Sequence, residues 1–420
     1  MIKATEYCLN VFDGTHDSPK PTKTGYKLLT SKNILNGIID SSDAYFISEQ
    51  DFNSINERSK VKKWDILFSM IGTVGNVCLL KDDNVDFAIK NMGVFSTGDE
   101  YKAKWLYFYL KSPIVMRKIQ YQINGAVQKF LPLGWLRNLE IPEYKEDKKM
   151  IVDLLWSIEE KTFLNDSIIL EINSMAKTIY DYWFLQFNFP DDNGKPYKSS
   201  GGKMVWSERL KREIPEGWDV VKLGQISETD RGVTYTAENL SDSGIPLISL
   251  ASISRQGTYI PDGIKYYRGT YNSKKLLNSN ELIMCNTDMT QERAVIGKCI
   301  LLPDIFDEPV LSTHHITHVN LFNRDLKYYF YLTTQTKWFH NYIKGFSSGT
   351  NVLGLDVRGF NDYNILIPSK KILDKFNDFV IPTEKRKNML IKEVQELRSL
   401  YDFLFPLLMN GQVTFKGTSL

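Results

Sequence analysis

Signatures of catalysis are what this 420-residue chain most clearly lacks. It has no GxxxxGK[ST] loop to cradle phosphates and no GxGxxG following a strand, so nucleotide chemistry has no visible seat. It has no Asn/Asp-Pro-Pro-aromatic segment of the kind an amino-group methyltransferase carries, which argues against methyl transfer by the chain itself. Pro190-Asp191 and Pro261-Asp262 could open a nuclease-like pattern, but two-residue matches of this sort are common. Cysteine is scarce: Cys8, Cys78, Cys285 and Cys299 form no CxxC pair, which excludes a disulfide framework and points to buried thiols in a reducing compartment. No apolar run approaches the ~18 residues of a membrane span. The start, MIKATEYCLNVFDG, has no basic stretch followed by an apolar core. The expectation is therefore a soluble, cytoplasmic protein with no membrane partner. There is also no large excess of either charge sign, since 52 Lys and Arg face 50 Asp and Glu. Any polyanion-binding surface must then come from local distribution rather than net charge.

What the chain does contain is a long internal repeat, which comes first because missing one misreads the fold. Tyr107-Phe108-Tyr109-Leu110 recurs as Tyr329-Phe330-Tyr331-Leu332, an offset of 222 residues. In the same order and near the same offset, Gly25-Tyr26-Lys27-Leu28-Leu29 resembles Gly244-Ile245-Pro246-Leu247-Ile248, and Gly75 matches Gly297. Ile141-Pro142 likewise matches Ile367-Pro368, and Tyr180-Asp181-Tyr182-Trp183-Phe184 matches Tyr401-Asp402-Phe403-Leu404-Phe405. Five ordered matches indicate two copies of one unit, each a mixed domain followed by a helix. WDILFSMIGTVGNVCLL and ELIMCNTDMTQERAVIGKCILL read as strand pairs joined by polar loops. The YFYL segments open helical stretches, and a polar Gly loop then leads to a last strand ending at Ile-Pro.

Beyond each Ile-Pro the apolar spacing becomes heptad-like. One seam runs from Ile151 and Leu155 through Asn165 and Ile172 to Trp183, and the other from Leu373 and Phe376 through Lys387 and Leu390 to Leu408. Polar residues occupy the seam at Thr162, Asn165, Thr383 and Lys387, where they can fix register and partner. Pro382 predicts a kink or restart near Thr383. The simplest arrangement pairs the two helices antiparallel, and about 35–40 residues each would span roughly 50–60 Å. Residues 188–204 have the Gly, Ser, Pro and charge content of an exposed linker.

Histidine and charge are clustered. His314, His315 and His318 have spacings that bind zinc on a helix, but LSTHHITHVNLF reads as a strand with no cysteine nearby, so no metal is expected. His16 sits in the polar loop DGTHDSP. Residues 101–137 hold seven Lys and Arg and no acid, interleaved with Trp105, Tyr107, Tyr109 and Tyr121, and a weaker version occupies 324–360. This pattern fits either a phosphate-facing surface or a solvated helix face over core aromatics.

These features together resemble the specificity subunit of a type I restriction-modification enzyme. Ile214-Pro215-Glu216-Gly217-Trp218 followed by Val221-Lys222-Leu223-Gly224 is similar to the opening of a target recognition domain in that family. Asn193 to Gly202 is similar to its inter-repeat segment, and Asp13-Gly14-Thr15-His16 and the paired Ile-Pro-then-helix junctions also fit. The first copy lacks the Ile-Pro-x-Gly-Trp opening. The resemblance implies an α+β fold: two repeated mixed α/β target recognition domains joined by two long antiparallel coiled-coil helices about a pseudo-two-fold. The implied divisions are a first recognition domain at 1–142, a spacer helix at 143–187, a linker at 188–213, a second recognition domain at 214–368 and a second spacer helix at 369–412.

By the same resemblance, each domain reads one half of a bipartite, asymmetric site in double-stranded DNA, and the helices set the gap and dock methyltransferase (M) subunits. S-adenosylmethionine would sit on the M subunit, and ATP and magnesium on a restriction (R) subunit where one is present. The chain itself would hold no cofactor and perform no catalysis. Base and phosphate contacts are expected at His16, Lys23, Lys90, Asn91, Gln128 and Lys129 in the first domain. In the second they are expected at Arg231, Thr234, Tyr235, Arg293, Ser348 and Asn351. The alternatives are an assembly scaffold that binds protein partners and a divergent DNA methyltransferase.

Overall fold

The computed structural model describes residues 1–35, 37–123 and 130–415. Packing divides the chain into two units: residues 1–162 with the described residues from Glu396 onward, and residues 163–395.

The first unit is built on a four-stranded antiparallel sheet in the order Asn10–Asp13, Met92–Ser96, Asp65–Ser69, Val77–Leu79. The central strand Asp65–Ser69 is buried along its whole length, with the apolar run Ile66-Leu67-Phe68 covered on both faces. A second sheet pairs Tyr26–Thr30 with Phe46–Ile47 and, in parallel, with Phe87–Lys90. The segment Ile2–Lys3 pairs with Glu140–Ile141, so a short edge strand stands where the sequence showed no recognisable opening. The helix Glu100–Lys111 starts where the Asp99 carboxylate accepts from the Lys102 amide at 2.8 Å. It stops at Ser112, and Pro113 opens the next helix at the position where a missing N–H costs nothing.

The second unit repeats this plan. Its four-stranded antiparallel sheet runs Ser227–Arg231, Ile316–Leu321, Leu282–Cys285, Cys299–Leu301. Its parallel pair is Ile245–Ile248 with Leu311–Ser312, and its edge pair is Asp219–Lys222 with Asn364–Ile367. The repeat extends to backbone detail. Gly25 and Gly244 both sit at φ +136°, and a Cβ there would lie 2.2 Å from the Ile47 carbonyl oxygen or 2.5 Å from that of Tyr267. Only glycine fits such a position. The predicted strand pairs, YFYL helices and closing strands are all present.

The first long helix spans Lys149–Tyr180 and ends in one π-helical turn, Asp181–Leu185. The second spans Lys370–Met409 without interruption. Of the kink or restart expected near Thr383, the restart does not occur, since Pro382 lies inside a continuous helix. Pro382 and Asp378, whose carbonyl loses its helical partner, are both exposed, where solvent can satisfy that carbonyl. Within the second unit the helices pair antiparallel: Asn165 donates to Glu393 at 2.8 Å, and Lys387 donates to Asn173 at 3.3 Å. Within the first unit, Lys111 bonds Glu159 and lies 5.3 Å from the Tyr401 ring. The heptad seam is the buried stripe, with Leu155, Phe376 and Val380 at most 1% exposed.

The segment expected as an exposed linker contributes to the second core. Phe189 is buried and stacks on Trp218 at 5.0 Å between ring centres, and the preceding Phe187 is also buried. Asp191 Oδ1 fixes the turn by accepting from the Asn193 and Lys195 amides, both at 2.8 Å.

Candidate nucleic-acid interface

The parallel strand pair creates the site in each unit. Where the parallel strand ends, the chain turns sharply into the long antiparallel strand beside it. In the first unit this turn is Lys90-Asn91-Met92, and it faces the segment that follows Asn10–Asp13. Thr15 bridges Lys90, the Gly14 amide donates to the Met92 carbonyl at 2.9 Å, and the Asn91 amide donates to the Thr15 carbonyl at 3.1 Å. Gly14 is required by the crossing, since a Cβ would lie 2.5 Å from the Ile89 carbonyl oxygen. Asn91 takes φ +53°, which Asn tolerates better than most residues. The second unit reproduces the crossing: Val233 bridges Thr313, the Gly232 amide donates to the Ile316 carbonyl at 3.0 Å, and a Cβ on Gly232 would lie 2.1 Å from the Ser312 oxygen.

On this shared frame the side chains differ. In the first unit His16 is held at both ring nitrogens, by Asn91 Oδ1 at 2.7 Å and Asp13 Oδ2 at 3.0 Å, yet remains 62% exposed. Lys90 bonds Ser18, and Arg58 donates to the Gly14 carbonyl at 3.2 Å. His16, Lys90 and Asn91 are thus brought together from positions 75 residues apart. Lys23 is exposed on the loop that follows. Gln128 and Lys129 lie outside the described residues. Arg58 and Asp13 were not anticipated. Arg58 reaches the site from the helix Glu49–Ser59, and nothing local to it signals that arrival.

In the second unit the turn is Thr313-His314-His315-Ile316, one residue longer. The His314 and His315 rings lie 3.9 Å apart, Tyr235 packs against His314, and Lys265 reaches the Tyr235 hydroxyl at 3.2 Å. His315 shares a 2.9 Å hydrogen bond with Thr287, and Asn286 donates to the His314 carbonyl at 3.1 Å. Burial, then the neighbouring His314 and Lys265, push the His315 pKa down, which favours a neutral imidazole with one donor and one acceptor. The expectation that His314 and His315 belong to a strand is corrected: the strand begins at Ile316, because the parallel pairing ends at Ser312. Among the described residues no group of three or more His, Cys, Asp or Glu could hold a metal ion. His318 points elsewhere, 3.8 Å from Glu281.

The polar face continues from Thr287. Thr287–Asp288 pairs with Leu353–Leu355, which pairs with Ser347–Ser348. This places two loops side by side, 288–295 and 347–352, and Gln291 links them by donating to the Thr350 carbonyl at 2.7 Å. Arg293, Ser348 and Asn351 gather here, while Arg231, Thr234 and Tyr235 lie by the histidine turn. Arg293 is partly committed, since it donates to the Lys344 carbonyl at 2.9 Å. Arg231, Thr234, Ser348 and Asn351 are exposed. Four exposed side chains, hydroxyl, amide and guanidinium, can present donors and acceptors to base edges and phosphates.

Part of the basic stretch 101–137 is used differently, while Lys102, Arg117, Tyr121 and Arg137 remain exposed. Trp105, Tyr107 and Tyr109 are core residues at 4%, 2% and 3% exposure, and Trp105 and Tyr109 donate to the Pro142 and Glu140 carbonyls. Lys104 is buried against Trp156 and bonds Glu100 at 2.6 Å. Its charge is neutralised inside the fold and is not offered to phosphate.

Comparison with known proteins agrees with this architecture. The family model described as type I restriction modification DNA specificity domain matches residues 215–395. The type I restriction enzyme MjaIX specificity subunit of Methanocaldococcus jannaschii is 22% identical over 328 residues, covering 75% of this chain and 70% of that protein. The HindI specificity subunit of Haemophilus influenzae is 20% identical over 414 residues, covering 85% and 88%. The crystal structure of a type I restriction-modification S subunit from M. genitalium shares the fold at a TM-score of 0.60 and 17% identity, covering 99% of this chain and 96% of that one. The repeated frame, the long helices and these relatives point the same way: this chain is similar to the specificity subunits of type I restriction-modification systems, and the specificity-domain model covers its residues 215–395.

Proposed function

We propose that each unit reads one half of a bipartite, asymmetric DNA site, and that the two long helices set the gap between the halves and dock M subunits. The observation that carries this reading is the repeated crossing. One backbone frame, fixed by Gly14 and Gly232, displays His16, Lys90 and Asn91 in the first unit but Thr234, Tyr235, His314 and His315 in the second. A common frame with different polar side chains is what two different half-sites require. Methyl transfer to adenine then belongs to the M subunit with its S-adenosylmethionine. ATP-driven steps with magnesium belong to an R subunit where one accompanies it. The chain contributes recognition without catalysis in the cytoplasm, in keeping with the missing methyltransferase and phosphate-loop signatures.

The test is to co-express the chain with its M subunit in a methylation-free host and map modified adenines across the genome. A bipartite motif with a fixed gap is expected. Exchanging residues 214–368 for the corresponding domain of a related specificity subunit should then change one half of the motif and leave the other intact. A soluble complex that modifies nothing, or a motif altered in both halves by the exchange, would refute the reading.

A further inference from the structure

The two units differ most in one loop. The amide of Gly75 donates to the Ser69 carbonyl at 3.0 Å, and the amide of Gly297 donates to the Cys285 carbonyl at 2.8 Å, closing equivalent hairpin loops. Six residues separate the bonded pair in the first unit and twelve in the second. The first unit builds the same strand pair and the same contact, Gly75 against Ile119 and Gly297 against Ile343, without the extension. The added segment is therefore not needed to complete the fold.

The extension is nonetheless held firmly. Asp288, 1% exposed, anchors its base. One carboxylate oxygen accepts from the Thr290 amide at 2.7 Å and the Thr290 hydroxyl at 2.8 Å, and the other accepts from the Val295 amide at 2.7 Å. Burying a carboxylate is costly unless its oxygens are satisfied, and here the bonds go to the loop itself. Arg293 at φ +56° ties the returning arm to Lys344, and Gln291 ties the tip to Thr350. Immediately after Asp288, Met289 is 71% exposed, and Val352 on the facing loop is 41% exposed. A fixed loop that presents a large apolar side chain to water, next to a polar face, has the character of a contact element. It adjoins the histidine turn through Thr287, whose hydroxyl bonds His315.

We propose that residues 289–294 form a recognition finger peculiar to the second unit, with Met289 a specificity-determining residue that contacts a thymine methyl group in its half-site. This inference rests on the DNA-reading function proposed above. The 5-methyl group of thymine is the one apolar feature in the major groove, and a flexible thioether suits it. The polar neighbours Gln291, Ser348 and Asn351 flank that contact with groups able to read base edges.

The experiment maps modified adenines for the complex with M subunit carrying wild-type chain, Met289→Gln, or a deletion of residues 289–294 that restores the loop length of the first unit. Met289→Gln is expected to relax one A·T position in one half of the motif. The deletion is expected to lower modification of the original sites at least tenfold, or to degrade that same half, with the other half unchanged. Met289→Gln leaves the Asp288 network untouched, so it decides the matter even where the deletion variant fails to accumulate. An unchanged motif and unchanged modification level with Met289→Gln would overturn the assignment while leaving the bipartite reading standing. Absence of any bipartite motif with wild-type chain would instead overturn that reading.

Discussion

At the residue scale, burial sets the behaviour of several titratable groups. All four cysteines are buried and unpaired, and burial pushes the Cys8, Cys78 and Cys299 thiols up to about 12, so they are inert, as their spacing suggested. His340 is the more consequential group. Burial, then the Lys344 and Lys298 ammonium groups, lower its pKa to about 4, and its Nδ1 is buried without a protein partner. The native state therefore keeps this ring neutral while the unfolded chain protonates near 6.5. Its contribution is fully present above pH 6.5 and is lost as pH falls from 6.5 to about 4. The wild-type second unit should lose more stability between pH 7.5 and pH 5 than a His340→Gln variant, measured as the shift in urea midpoint. Equal shifts would show that His340 stays neutral in both states or is charged in both. Lys344 is one helical turn from His340, but the burial and the approach of Lys298, more than forty residues away, are not visible near His340 in sequence. The same limit applied to Arg58, Asp13 and the histidine turn. The chemistry of these residues was readable, but their neighbours are set by long-range strand pairing.

At the scale of elements, legibility depended on how local the signal was. The YFYL helices, the heptad seams and the glycines at 25 and 244 were readable because period and backbone constraint act within a few residues. The equivalence of Gly14 and Gly232 was not, because Asp13-Gly14-Thr15-His16 and Arg231-Gly232-Val233-Thr234 share only the glycine. The aromatic-basic stretch was ambiguous for a different reason. A tyrosine whose hydroxyl reaches a backbone carbonyl is equally at home in a core or on a surface. The polar seam residues show a role that spacing had suggested. Lys387 and Glu384 are 8% and 3% exposed and bond at 2.6 Å, with Asn173 as a further partner for Lys387. Burial alone would lower the Lys387 pKa, but Tyr331 and Glu384 outweigh it and raise it, so the ammonium is retained. Lys387→Met leaves Glu384 buried without its cation and should cost about 3–5 kcal/mol. Adding Glu384→Gln should recover a large part of that loss. Additive losses in the double-mutant cycle would show that the pair is not coupled.

At the scale of the whole molecule, the first unit is discontinuous. Its core contains Phe108 and Trp156 from the early part of the chain, with Phe405 and Leu408 from the end of the second long helix. Phe405 lies 6.3 Å from Phe108 between ring centres, and Tyr401 stacks on Phe405 at 4.9 Å. Phe405→Ala in the full chain should cost about 3–5 kcal/mol, and the loss should be confined to the first unit. Hydrogen exchange would report it as faster exchange in residues 1–162 with residues 163–395 unchanged. Uniform acceleration across the chain would show that the two units do not open independently. The discontinuity also fixes an order of birth. Residues 163–395 are complete before Phe405 is synthesised, so a ribosome releases the makings of the second unit while the first still waits for its closing side chains. At about 5–20 residues per second, the wait from Thr162 to Phe405 is on the order of ten to fifty seconds. Throughout that interval the apolar face around Phe108 and Trp156 is open. The nascent first unit, although it emerges first, is therefore the part of this protein whose core stays uncovered longest.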